Sequence, residues 1–207
     1  MTAPIPLQRG VTLAFGPGLG EARTQGQEAR MYPYLRMVKE ILKFRGAPPL
    51  HPFETHVSHH LCWPQDIDPW LELNNGRTLT LYDLGRIPMA GRTGLHRIAK
   101  AKGWGLAVAG ASVRYRKRVR MFDRIEMRTR LLGWDHRFVY MGQSMWVRGE
   151  CTSQALLRSA ITQGKRGILP PAEMAEALGL PPESPDLPGW VQAWIEADAQ
   201  RPWPPEG

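Results

Sequence analysis

Two aspartates, Asp66 and Asp68, stand just before Pro69, and the run Asn74-Asn75-Gly76-Arg77 follows close behind. Cleaving an acyl bond needs a nucleophile or activated water, a donor for the developing oxyanion, and contacts that hold the two arms of the substrate. An aspartate can act as the nucleophile or as the general base. At the end of a strand, residues i and i+2 point the same way, which would set Asp66 and Asp68 side by side. Pro69 has no backbone N–H and forces a loop. Asn74 or Asn75 is a favoured N-cap, so the free amides of Gly76 and Arg77 would face outward at a helix start. The unpaired donors and dipole there can polarise a carbonyl oxygen. Gly76 leaves room for close approach. Each piece also has a structural use, since Asp-x-Asp before proline caps loops and Asn-Asn caps helices.

The elements that must position these residues are legible in the hydrophobic pattern. Residues 54–63 read as a strand, residues 64–74 as a loop, and Asn75 to about Lys102 as a helical stretch interrupted or bent near Pro88 and Gly91. Long strand-like segments follow. In 105–121, Val113, Tyr115, Val119 and Met121 alternate against Arg114, Arg116, Arg118 and Arg120. In 123–134, Ile125, Met127, Thr129 and Leu131 alternate against Arg124, Glu126, Arg128 and Arg130. Residues 137–148 and 151–162 read as two more strands. Period-two alternation over such lengths predicts antiparallel strands with one covered face. Strand, long helix, then a meander of strands predicts an α+β domain with one helix wrapped by a sheet.

Ahead of this core, Tyr34, Leu35, Met37, Val38, Ile41 and Leu42 recur at helical spacing among Arg36, Lys39, Glu40 and Lys43, ending at Gly46 and Pro48-Pro49. That is an amphipathic helix, assigned to residues 31–46. Residues 1–30 show no apolar periodicity and are expected to be a flexible extension. The abrupt change at Met31 suggests a native start there. Residues 166–207 form a proline-rich extension with short helices at 172–179 and from Trp190 to about Ala199.

The chain has 207 residues, 43 % of them hydrophobic, enough for one core with extensions. Its formal charge of +8 attracts polyanions without choosing among them. No helix-turn-helix, zinc or RNA-binding pattern accompanies the charge, so no nucleic-acid partner is expected. The arginine rows read either as a solvated face or, in part, as a phosphate-binding stripe, with Lys117 on the opposite side. Cys62 and Cys151 are far apart and read as reduced thiols. His56, His59 and His60 lack a carboxylate at ligand spacing, so no metal is expected. Five of the eight tryptophans, Trp63, Trp70, Trp104, Trp134 and Trp146, read as core or interface residues. Neither a signal peptide nor a run long enough to span a bilayer is seen, so a cytoplasmic protein without membrane insertion is expected.

The run from Cys62 to Arg86, with Asp66-Ile67-Asp68-Pro69, Glu72-Leu73-Asn74-Asn75 and the helix carrying Tyr82, Asp83 and Arg86, resembles the hotdog thioesterase-like family, which includes 4-hydroxybenzoyl-CoA thioesterase. Tyr115-Arg116, Gly133-Trp134-Asp135 and Phe138-Val139-Tyr140 look like that family's strands. The resemblance covers roughly residues 52–165. It implies a hotdog fold, with a long central helix wrapped by an antiparallel sheet and helices added at both ends. It also implies hydrolysis of acyl-CoA, or of an acyl carrier protein thioester, in a homodimer or homotetramer and with no cofactor. The family's catalytic aspartate falls on Asp68. Glu72 stands where many relatives carry a histidine, and Asp68 and Glu72 could share a proton. Asn75 and Gly76 would supply the oxyanion site, and Asp66, Asn74, Arg77, Arg116 and Arg118 would contact substrate. Two alternatives stay open: a hotdog protein that binds acyl thioesters without cutting them, and an oligomeric interaction protein using its arginine face.

Overall fold

The central helix, α2 (Asn75–Arg92), organises everything around it. The computed structural model describes residues 32–205, so the N-terminal extension and the Met31 start lie outside the described residues. Asn74 caps α2, its side chain accepting from the amides of Gly76 and Arg77. The helix buries Thr78, Leu81, Tyr82, Leu84, Gly85, Pro88 and Met89 against the sheet. Gly85 permits the close approach: a Cβ there would lie 2.6 Å from Thr129 Oγ1 and 2.7 Å from Met127 Sδ. Pro88 stays inside the helix, and the expected break moves to Thr93-Gly94, where Gly94 takes a φ of 80° that disfavours side chains. The short helix α3 (Leu95–Lys102) follows and stops at Gly103, again left-handed.

The sheet is antiparallel and runs β1 (His56–Leu61), β3 (Arg124–Trp134), β4 (Val139–Val147), β5 (Glu150–Gln163), β2 (Gly105–Tyr115), so β1 and β2 lie at opposite ends of the order. A short β6 (Gly167–Leu169) pairs with β5. On β3 the alternation holds, with Ile125, Met127, Thr129 and Leu131 buried and Arg124, Arg128 and Arg130 exposed. The preceding segment differs from expectation. β2 ends at Tyr115 because the amides of Arg116 and Lys117 both turn to the Thr152 carbonyl, at 2.8 and 3.1 Å. Arg116, Arg118 and Arg120 are therefore loop residues, so they do not continue a strand face with Arg114. Lys117 is exposed and reaches toward Glu150 rather than packing among apolar side chains.

The helix α1 (Tyr34–Phe44) lies against β1: Arg36 donates to the Leu61 carbonyl, and the Phe44 ring meets His56 edge-on. At the other end of the chain, the proline-rich segment is built into the domain. The Trp134 amide donates to Ser184 Oγ and its indole N–H to the Pro182 carbonyl. After the short helix α4 (Pro171–Ala177), α5 (Gly189–Ala199) packs Val191 on Tyr140 and Leu156. Gln143 on β4 bonds the Tyr82 carbonyl of α2, so strand alternation puts Tyr140 on the opposite face. The sheet is thus covered by α2 on one face and, in part, by α5 on the other.

Candidate functional site

The strand leading to the site stops at Leu61, and Pro64–Asp66 form a single 3-10 turn. That turn removes the alternation that would have set Asp66 beside Asp68. Asp66 is fully buried instead, and its carboxylate accepts from Arg36 Nη1 at 2.7 Å, the Trp63 amide at 3.0 Å, and Arg77 Nε and Nη2 at 3.1 and 2.8 Å. Burial alone would raise its pKa. The bonds from Arg77, Arg36 and the Trp63 amide outweigh it and hold the carboxyl below its ordinary value. Asp66 and Arg77, both expected at substrate, bind each other and tie α1 to the start of α2.

Asp68 closes the loop that follows. Its Oδ1 accepts from the amides of Trp70 at 2.9 Å and Glu72 at 3.4 Å, and its own amide donates to the Glu72 carbonyl. The second carboxylate oxygen takes no part in these bonds. Glu72 does not pair with Asp68, as proton sharing would require; its Oε2 lies 3.0 Å from Arg118 Nε. Asn74 Oδ1 takes the amides of Gly76 and Arg77, at 2.9 and 3.1 Å. The oxyanion donor expected at Gly76 is thus already spent on the cap, and the helix-start amide that Asn74 Oδ1 leaves over belongs to Asn75.

These residues border a cleft of about 180 Å³, lined by Glu72, Asn75, Thr78, Tyr115, Arg116, Lys117, Arg118, Thr152 and Ser153 among others. The structure therefore brings Glu72, Asn75, Arg116 and Arg118 together. It places Asp68 at the far end of their loop, outside the lining, and Asp66 and Arg77 in the buried clamp. Tyr115 Oη donates to the Asn75 carbonyl at 3.3 Å, and Ser153 Oγ lies 2.9 Å from Tyr82 Oη behind the cleft. Thr78, Tyr115 and Ser153 were missed as site residues. Thr78 had a signal, sitting three residues after Asn75 on one helix face. Ser153 had none, because it reaches the cleft only through its β5 register opposite Tyr115. The cleft can hold an anion near Arg116, Lys117 and Arg118 and polarise a carbonyl at the Asn75 amide. Among the described residues, no three His, Cys, Asp or Glu side chains are grouped to hold a metal ion.

A second polar cluster lies under α1. Ser58 Oγ is 2.8 Å from His60 Nε2, and His60 Nδ1 is 4.0 Å from Glu40 Oε1, with all three residues buried. Burial, then Arg36 and neighbouring cations, lowers the His60 pKa to about 3. Burial raises that of Glu40 despite Lys43, Lys39 and Arg36. His60 is held neutral, so this contact is no ion pair. The unfolded chain protonates His60 near the ordinary value of 6.5, so stability is complete above that pH and is lost as pH falls toward the folded pKa. At about pH 5 the expected loss from this histidine is about 2 kcal/mol relative to pH 7. Urea unfolding at both pH values should show a larger drop in the wild type than in His60→Gln, by about that amount. Equal pH slopes would remove the assignment.

Comparison with known proteins places this geometry in a family. Residues 62–195, well over half the chain, match the model of the thioesterase-like superfamily. The chain is 29 % identical over 164 residues to protein THEM6 of Xenopus laevis, covering 79 % of this chain and 78 % of that protein. It is 28 % identical over 148 residues to protein THEM6 of Drosophila melanogaster, covering 70 % and 74 %. Among solved structures, it resembles Slr0204, a 1,4-dihydroxy-2-naphthoyl-CoA thioesterase from Synechocystis, with a TM-score of 0.53 at 11 % identity over 60 % of this chain and 95 % of that one. It also resembles DHNA-CoA thioesterase from Staphylococcus aureus, with a TM-score of 0.54 at 11 % identity over 70 % and 91 %. At such identities the structures speak for the fold. With the family match spanning the cleft, the central helix and all of β2 to β5, the chain belongs to the thioesterase-like superfamily and has its hotdog fold.

Proposed function

We propose that the protein hydrolyses an acyl-CoA thioester at the cleft beside the start of α2. The observation that carries this reading is the convergence there of the Asn75 amide, the Glu72 carboxylate and three successive cations, Arg116, Lys117 and Arg118. The Asn75 amide polarises the thioester carbonyl, supported by the helix dipole. Asp68, with one oxygen held by its loop, acts as nucleophile or general base. Glu72 is the auxiliary carboxylate, oriented by Arg118. Arg116 and Arg118 hold the phosphates of CoA.

Asp68 lies outside the cleft lining of a single chain, so the site needs a further wall or a loop movement. The open β2 edge, with Leu106 and Val108 about half exposed, and the exposed Trp70 and Leu71 of the Asp68 loop supply a surface for a second copy. A cytoplasmic homo-oligomer completing the site across that edge is part of the proposal. An acyl-CoA panel read by release of free thiol tests it. Turnover of at least one acyl-CoA is expected. CoA binding without turnover would make the protein a thioester binder, and neither would favour an interaction protein.

A further inference from the structure

Helix α1 turns Arg36 and Glu40 inward beside Met37 and Phe44 and leaves most of its apolar stripe outside. Arg36 reaches the buried Asp66 at 2.7 Å and the Leu61 carbonyl at 2.9 Å, and Glu40, 2 % exposed, is buried beside His60. An amphipathic helix ordinarily buries its apolar stripe. Here Leu35, Val38, Ile41 and Leu42, which share one helix face, are 88, 52, 44 and 59 % exposed. Lys39 and Lys43, one turn apart, flank that face, and Arg45 is exposed just beyond its end. With Glu40 turned inward, α1 shows no exposed acid.

The stripe continues into a cleft of about 500 Å³ between the C-terminal ends of α1 and α2, lined by Ile41, Phe44, Leu50 and Ile87, with Arg45 and Arg97 also on its wall. This surface belongs to the β1 end of the sheet, at the opposite end of the strand order from β2.

We propose that α1 docks the protein peripherally on an anionic phospholipid surface. Leu35, Val38, Ile41 and Leu42 enter the boundary between headgroups and acyl chains, and Lys39, Lys43 and Arg45 meet the lipid phosphates. Charge selects this occupant. A second copy brings the same lysines and no exposed acid on its own α1 to pair them, whereas an anionic bilayer offers both an apolar layer and negative charge. The bonds of Arg36 to Asp66 and to the Leu61 carbonyl fix the helix in this orientation, so the apolar face is presented by the folded protein and needs no unfolding to appear. This inference stands independently of the catalytic proposal.

Vesicle flotation of the full chain tests it, using phosphatidylcholine vesicles and vesicles of phosphatidylcholine with phosphatidylglycerol in a two-to-one mixture. The wild type is expected to float with the mixed vesicles and to bind the neutral ones at least about tenfold more weakly. Leu35→Glu with Leu42→Glu should cut binding by about tenfold or more, and Lys39→Ala with Lys43→Ala by several-fold, while circular dichroism stays unchanged. Both pairs are exposed, so the fold should tolerate them.

The proposal is overturned if the wild type floats with neither vesicle. It is also overturned if the glutamate variant floats as well as the wild type, or if that variant changes only the oligomeric state, which would assign the face to a second copy.

Discussion

Replacing Asp66 with alanine is expected to destabilise the protein by about 3–5 kcal/mol, the cost of breaking a buried ion pair from one side. Asp66 is fully buried and receives four hydrogen bonds, three of them from Arg36 and Arg77, whose side chains are 16 and 13 % exposed. Without the carboxylate, two guanidinium groups keep their positive charge in a site that water barely reaches. The change also removes the link that holds α1 to the start of α2, so α1 should loosen before the sheet does. Since domains of this size are stable by only about 5–15 kcal/mol, the variant should unfold at markedly lower urea. Substituting Arg36, Asp66 and Arg77 together with apolar residues of similar volume should cost far less, because no charge is then stranded. A loss below about 1 kcal/mol in Asp66→Ala, the range of an exposed pair, would contradict the clamp. Its lowered pKa adds a second readout, with the sign that follows from linkage. The contribution of Asp66 is complete above the ordinary value of 3.8 and is lost as pH falls below it through the folded pKa.

Much of the fold was legible in the sequence because its signals are periodic. The alternation of Ile125, Met127, Thr129 and Leu131 fixes which face of β3 is covered, and the Asn74-Asn75 pair marks where α2 begins. The errors came where a single backbone contact overrides a pattern. Alternation alone runs the second strand to Met121, but the Thr152 carbonyl captures two successive amides and ends it at Tyr115. A strand ending at the aspartates would align Asp66 with Asp68, but the turn at Pro64–Asp66 buries one and leaves the other on the loop. The sequence offers Asn74 or Asn75 as the cap; Asn74 takes that place and consumes the amide of Gly76, which shifts the available donor to Asn75. The cleft combines residues from α2, β5 and the loop after β2, and no sequence spacing reports that register. The orientation of α1 was equally hidden, since its apolar spacing predicts burial and only the pairing of Arg36 with Asp66 reveals that the helix is turned the other way.

The central claim is that Asp68 drives thioester cleavage beside the start of α2, and Asp68→Asn isolates that role. Asparagine keeps an oxygen for the amides of Trp70 and Glu72, so the loop should close as before and the melting temperature should barely move. It loses the ability to attack a carbonyl or take a proton from water, which should lower kcat by about 10²–10⁴-fold. Substrate affinity should change little, since the cations proposed to hold CoA lie on the loop after β2. The decisive measurement is thiol release from the best acyl-CoA substrate by the wild type and by Asp68→Asn, on samples with matching melting curves. The account predicts clear turnover by the wild type and a loss of at least about a hundredfold in the variant. Equal rates from the two proteins, or no turnover by the wild type on any acyl-CoA, would contradict it.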